Sequence, residues 1–140
     1  MRHYLRKDRG SAVIETLIVL PILLFVTFFG LETWVLMQRH VLMGRVLNQY
    51  LTLAQIEGTV SDEIRQDVLA AMERLGFDPA KVDFGHSTPP HVYKRRGEPV
   101  HMEIGYPKGP VLTIVRVLGL SPPDSDELMW VGGTVASELP

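Results

Sequence analysis

The sequence contains no cysteine, which removes disulfides, thiolate metal sites and cysteine nucleophiles together and leaves the redox compartment open. It also has little positive charge to spare beyond its first ten residues. There Arg2, Arg6, Lys7 and Arg9 stand against Asp8 alone, a net +3, whereas the whole chain carries −2, so the remainder carries −5. Such an acidic body lacks the clustered Lys and Arg that release counterions from phosphate, and no nucleic acid is expected as a partner. Catalytic signatures are missing too. Gly105-Tyr106-Pro107-Lys108-Gly109-Pro110 has glycines without the strand-to-helix setting of a phosphate loop, and neither G-x-S-x-G nor a paired-carboxylate arrangement occurs. Of five histidines, His86 and His91 are separated by a Pro-rich loop and His101 falls in a candidate strand, so none has the tight spacing of a zinc site. The chain reads as a protein without metal or cofactor, and not as an enzyme.

What the sequence does have is one long apolar run. A chain of 140 residues with 46% hydrophobic content has room for one small domain and one membrane segment. From Ser11 to Leu31 it reads SAVIETLIVLPILLFVTFFGL, with Glu15 as its one charge before Glu32. At ~1.5 Å per residue this run spans roughly 31 Å, close to the ~30 Å hydrocarbon core of a bilayer. The basic cluster before it, against the sparser Arg39 and Arg45 after it, predicts a cytoplasmic N-terminus and an exported C-terminal part. A cleaved secretory signal has a shorter apolar region and a small-x-small site, which residues 27–33, TFFGLET, do not supply. A buried core helix of this length is out of proportion to so small a protein. An ordinary signal anchor fits the length equally well.

Glu15 separates these readings, because a charged side chain inside an apolar span costs about 2.5 kcal/mol or more at mid-bilayer and less near an end. It lies five residues after Gly10, which closes the basic head. The arrangement RKDRG-SAVIE-TLIVLPILLFVTFFG resembles the class III signal of type IV prepilins. With Pro21 in the helix and Gly-Leu-Glu at Gly30 to Glu32, it is similar to the TadE-like minor pilins and pseudopilins of tight-adherence (Flp) pilus systems.

The resemblance covers about the first third of the chain. It implies a membrane peptidase cut between Gly10 and Ser11, while Pro21, which removes one backbone donor in the body of the helix, predicts a helix kink. The resemblance further implies that prepilin peptidase, other pilin or pseudopilin subunits, an inner-membrane assembly platform and the lipid bilayer are partners. The place it implies is a bacterial inner membrane, with the C-terminal domain periplasmic or extracellular. Thr16 stands where major Flp pilins usually have Tyr, and the chain is much longer than theirs, which speaks for a minor subunit. Ser11 differs from the Phe or Met common at that place in type II secretion pseudopilins. The physical logic is independent of the name. A cut at Gly10 leaves an α-ammonium at the head of an apolar helix with Glu15 one turn further on, and side-by-side packing of such helices pairs the carboxylate of one with the amine of a neighbour. The plainer reading is that Glu15 snorkels to the cytoplasmic interface.

Beyond Glu32, apolar residues from Trp34 to Ala54 recur at three- and four-residue steps, which predicts that the anchor helix continues to about Glu57. Trp34 suits a membrane interface. Gly58 and Thr59 close that helix. Ser61 opens a second one, with Asp62 and Glu63 in its first turn, Ile64, Val68, Met72 and Leu75 on one face, and Gly76 as the stop. Candidate strands follow at Lys81–Phe84, Val100–Tyr106, Val111–Leu118 and Met129–Ala136, with Pro107-Lys108-Gly109-Pro110 as a turn and Ser121–Asp126 as a loop. Lys94-Arg95-Arg96 before Gly97 reads as a solvated turn. The expected class is α+β: a long N-terminal transmembrane and amphipathic helix, a second helix and a small antiparallel sheet, laid out like a pilin. The expected division is a basic leader over 1–10, the membrane segment over 11–31, a helical extension over 32–57 and an exported domain over 58–140. Two functions are compatible with these residues. One is a minor pilin or pseudopilin cut by the peptidase, the type II secretion variant included. The other is an uncut, single-pass scaffold of another envelope complex.

Overall fold

The computed structural model describes residues 5–108 and 127–140. Its first helix, α1, runs unbroken over Leu5–Glu57, 53 residues with Pro21 inside. Proline has no N–H to give the carbonyl four residues back, so the ladder lacks one bond at Leu17. Three threonine hydroxyls in and just after the apolar run are satisfied within the helix. Thr16, Thr27 and Thr33 donate to the carbonyls of Ala12, Leu23 and Phe29 at 2.8, 2.8 and 2.9 Å. A helix that must cross a medium without water needs such internal partners.

Helix α2 spans Asp62–Arg74, and the Ser61 hydroxyl accepts a hydrogen bond from the Ile64 N–H at 3.3 Å, the N-cap that the sequence predicts. Ile64, Val68 and Met72 are buried as their spacing requires, but Leu75 is 43% exposed. The cause is the way the helix ends. The Gly76 N–H bonds the Glu73 carbonyl at 2.9 Å and the Phe77 N–H reaches back to Met72 at 3.0 Å, the double closure of a Schellman motif. That closure brings Phe77 into the core in place of Leu75.

The strand expected over Lys81–Phe84 does not form. Asp78 accepts from the Ala80 N–H at 3.0 Å and nucleates a 3-10 turn over Pro79–Lys81, while Gly85, at φ +47°, turns the chain away after Phe84. A single antiparallel bridge, Asp83 to Gly105, is what remains of it. The expected strands at Val100–Tyr106 and Met129–Ala136 are present as β1, Pro99–Pro107, and β2, Leu128–Ala136, paired antiparallel with Ile104 opposite Val131. The predicted strand at Val111–Leu118 and the loop at Ser121–Asp126 lie outside the described residues, as does the second half of the Pro107–Pro110 turn.

Among the described residues the architecture is α+β, a long helix and a second helix with a two-stranded antiparallel sheet. Alternation along the strands turns Val100, Met102, Ile104 and Tyr106 of β1 and Met129 and Val131 of β2 inward. They meet Met43, Val46, Leu47, Leu51 and Ala54 of α1 and the buried face of α2 in one core. At Gly133 the strand lies close against α1, and a Cβ there would stand 2.7 Å from Leu51 Cδ2. Only the last third of α1 is built into this core, which starts at Met43, about 18 Å along the axis from Leu31.

Candidate membrane-anchor site

Helix α1 carries every residue singled out for processing and assembly. Gly10 and Ser11 lie in its helical stretch, and Glu15 and Pro21 follow on the same helix. From Val13 to Leu31 the large apolar side chains are exposed, with Leu17 at 68% and Leu23 at 60%. Over Ala12–Glu57 the helix is long and apolar enough near its N-terminus to form a single membrane span. Glu15 is exposed within that surface, one turn or about 6 Å along the axis from Ser11. It borders a shallow groove on the helix with Ala12, Thr16, Val19, Leu20 and Leu23. An adjacent groove runs past Ala12, Thr16, Leu17 and Pro21.

An apolar surface of this extent is not tolerated by water. No described part of the domain covers it. A second carboxylate marks the other end of the run. Glu32 sits about 26 Å further along the axis than Glu15, and its Oε2 is shielded from solvent and accepts no hydrogen bond among the described residues.

No family model, curated protein or solved structure matches the chain.

The outer face of the sheet holds a polar cluster that the sequence alone does not reveal. Glu103 Oε1 meets His101 Nε2 at 2.8 Å, and His101 Nδ1 meets the Thr134 hydroxyl at 2.8 Å. Glu103 Oε2 accepts the His86 backbone N–H at 3.0 Å, with the His86 ring 3.6 Å away. The His101 bond and then the His86 N–H hold the Glu103 carboxyl below the ordinary glutamate value of 4.5, against a smaller opposing effect of desolvation. The i, i+2 spacing of His101 and Glu103 does place both on one face of a strand, which is the one local signal available. Their partners come from a loop and from β2, too far along the chain for spacing to announce.

Among the described residues no group of three or more His, Asp and Glu side chains is arranged to hold a metal ion. The cluster instead fastens the loop after Asp83 to β1. Because the native carboxyl is depressed, the clasp contributes stability that is complete above about pH 4.5 and fades as pH falls through the lower native value. Protection of the His86 amide, its exchange rate divided into the intrinsic rate at the same pH, is expected to fall on acidification below pH 4.5, and Glu103→Gln is expected to remove that loss of protection. An unchanged acid response in the glutamine variant would assign the effect to another group.

Proposed function

We propose that the protein is a minor pilin or pseudopilin of a tight-adherence-like apparatus. It is inserted by α1 with its N-terminus in the cytoplasm, cut between Gly10 and Ser11, and recruited among other pilin-like helices. The observation that carries this reading is the placement of Glu15: an exposed carboxylate on an otherwise apolar helix surface, one turn beyond the cleavage position. In a lone span that carboxylate has an energetic cost and no partner. In a bundle of cleaved helices it meets the new α-ammonium of a neighbour, and both charges are compensated in a medium that punishes either alone. The division of α1 also supports the reading. Its first thirty or so residues are left for membrane and neighbours, and its last third anchors the domain.

A second reading, an uncut anchored scaffold, draws on the helical state of residues 5–57. A peptide bond inside a helix has its carbonyl engaged and is a poor substrate until the turn opens. Gly10 lowers that barrier, since glycine weakens a helix by about 1 kcal/mol relative to alanine. Gly10→Ala therefore acts twice, stiffening the turn and altering the residue before the cut. Intact mass and N-terminal sequencing of membrane-extracted protein is the test. The expected mature chain begins at Ser11 and disappears both in cells without prepilin peptidase and in the Gly10→Ala variant. Retention of residues 1–10 in peptidase-positive cells would refute processing and leave the scaffold.

A further inference from the structure

Helix α1 has an apolar line that outlasts the bilayer. Eighteen residues make five full turns of an α-helix, so Trp34, Met37 and Val41 stand directly above Thr16, Val19 and Leu23, which line the groove beside Glu15. Gly30 lies on the same line, with nothing within 4 Å of its would-be Cβ. Trp34, Met37 and Val41 are 59, 66 and 40% exposed. Trp34, about 5 Å beyond Leu31, stands at the height of the lipid headgroups. Met37 and Val41 are about 9 and 15 Å beyond Leu31, where an exposed side chain meets water instead of lipid. The line ends in the next turn, because Arg45, Asn48 and Thr52 follow on the same side and are exposed.

The line faces away from the domain. Met43, Val46, Leu47, Leu51 and Ala54 turn into the core, and their mean direction lies about 135° round the axis from the midline of Trp34, Met37 and Val41. Between Thr16 and Gly44 the Asp, Glu, Lys and Arg side chains are Glu32 and Arg39 alone, roughly 160° and 140° round from Trp34. The line itself is therefore uncharged over about 38 Å, from Thr16 to Val41. We propose that it is a pairing seam for α1 of a second copy, which packs parallel to it and stays with it beyond the bilayer as far as Val41. The inference rests on α1 spanning the membrane, and it holds for a cut chain and an uncut one alike.

Two requirements select the occupant. It must leave the same face of the membrane, and it must stay apolar and uncharged along one side for about 15 Å beyond the bilayer. A second α1 meets both in register. Thr16, Val19, Leu23, Met37 and Val41 then face their own counterparts across a two-fold axis, the commonest symmetry of homo-oligomers, and Gly30 lets the two backbones approach below Trp34. Each domain hangs on the far side of its own helix, so neither obstructs the pair. Glu15 stands about 75° off the midline. Pairing therefore sets no like charges against each other along the seam, and each Glu15 carboxylate is left to a further neighbour.

The lack of cysteine makes the test direct, since each single-cysteine variant of the full chain carries one thiol. In membranes of cells that make it, copper phenanthroline is expected to link Met37→Cys and Val41→Cys into disulfide dimers. Val35→Cys and Arg39→Cys are exposed at similar heights but point about 100° and 140° away from Trp34, so they are expected to link about tenfold less. Met37 and Val41 both precede the core, which starts at Met43, and the domain folds without them. With Val41→Cys as reporter, Met37→Glu is expected to lower the dimer about tenfold, because it sets a charge into the seam, and Val35→Glu to leave it unchanged. Equal linking at all four positions, no dimer from Met37→Cys and Val41→Cys, an adduct of theirs with a different protein, or indifference to Met37→Glu overturns the proposal. Carbonate extraction and N-terminal sequencing of the same membranes keep the outcomes apart. A chain released by carbonate loses the anchor and the seam together, whereas an anchored, cut chain without dimers loses the seam and keeps the proposed function.

Discussion

Replacing Gly58 with alanine is expected to destabilise the domain by about 3 kcal/mol and to lower its unfolding midpoint by roughly 10 °C. Gly58 ends α1 at φ +68°, and a Cβ there would stand 2.6 Å from the Lys94 carbonyl oxygen, 2.8 Å from the Ser137 hydroxyl and 3.0 Å from Leu139 Cβ. None of these is the loose end of a long side chain. The Lys94 N–H bonds the Gly58 carbonyl at 2.7 Å, and the Ser137 hydroxyl donates to the Lys94 carbonyl at 2.8 Å and accepts the Leu139 N–H at 3.1 Å. Three chain segments therefore converge on a position without a side chain, and a methyl group forces them apart. Gly76 is the internal control. It has a similar positive φ of +87° but nothing within 4 Å of its would-be Cβ, so alanine there brings backbone strain alone, of about 1 kcal/mol. Thermal unfolding of both variants followed by circular dichroism separates the two effects. Equal losses would mean that crowding at Gly58 contributes nothing.

The two positions also show what the sequence can and cannot announce. Gly58 and Gly76 were both readable as helix stops, because a helix ends locally and its signals lie within a few residues. The same holds for Ser61 as a cap and for Ile64, Val68 and Met72 as a buried face. The strands Val100–Tyr106 and Met129–Ala136 were legible from β-branched content between turn residues, and the observed bounds differ from those by one residue at most ends. Lys81–Phe84 failed because Asp78 and Gly85 impose a turn at either side of it, and propensity within the segment does not register its neighbours. Leu75 failed for a similar reason, since the Schellman closure exchanges it for Phe77. The crowding around Gly58 and the Glu103 clasp depend on segments brought together from elsewhere in the chain, and the i, i+2 spacing of His101 and Glu103 is the one part of either that a local pattern shows. Gly10, Ser11, Glu15 and Pro21 lie on one continuous helix, so their spacing in sequence is already their spacing in space.

Glu15→Leu is the substitution expected to separate anchoring from assembly. In a single span, replacing a carboxylate with leucine removes an unfavourable group from the apolar surface, so the variant is expected to stay in the membrane at least as well as the parent chain. In a bundle of cleaved helices the same change leaves the terminal ammonium of the neighbour without its partner. Breaking a buried pair by deleting one member typically costs 3–5 kcal/mol. At about 1.4 kcal/mol per decade, even the lower bound lowers the assembled fraction by roughly a hundredfold. Glu15→Asp keeps the charge on a shorter arm and is expected to fall between the two. Sedimentation of detergent extracts, read as the ratio of assembled to free protein, measures the effect, and N-terminal sequencing of the same fractions shows whether cleavage has been altered as well. Loss of assembly with cleavage intact assigns Glu15 to helix pairing. Loss of both places it in recognition by the peptidase. Normal assembly of the leucine variant would return Glu15 to the plainer role of a carboxylate that reaches the cytoplasmic interface, where a lone anchor can hold it at little cost.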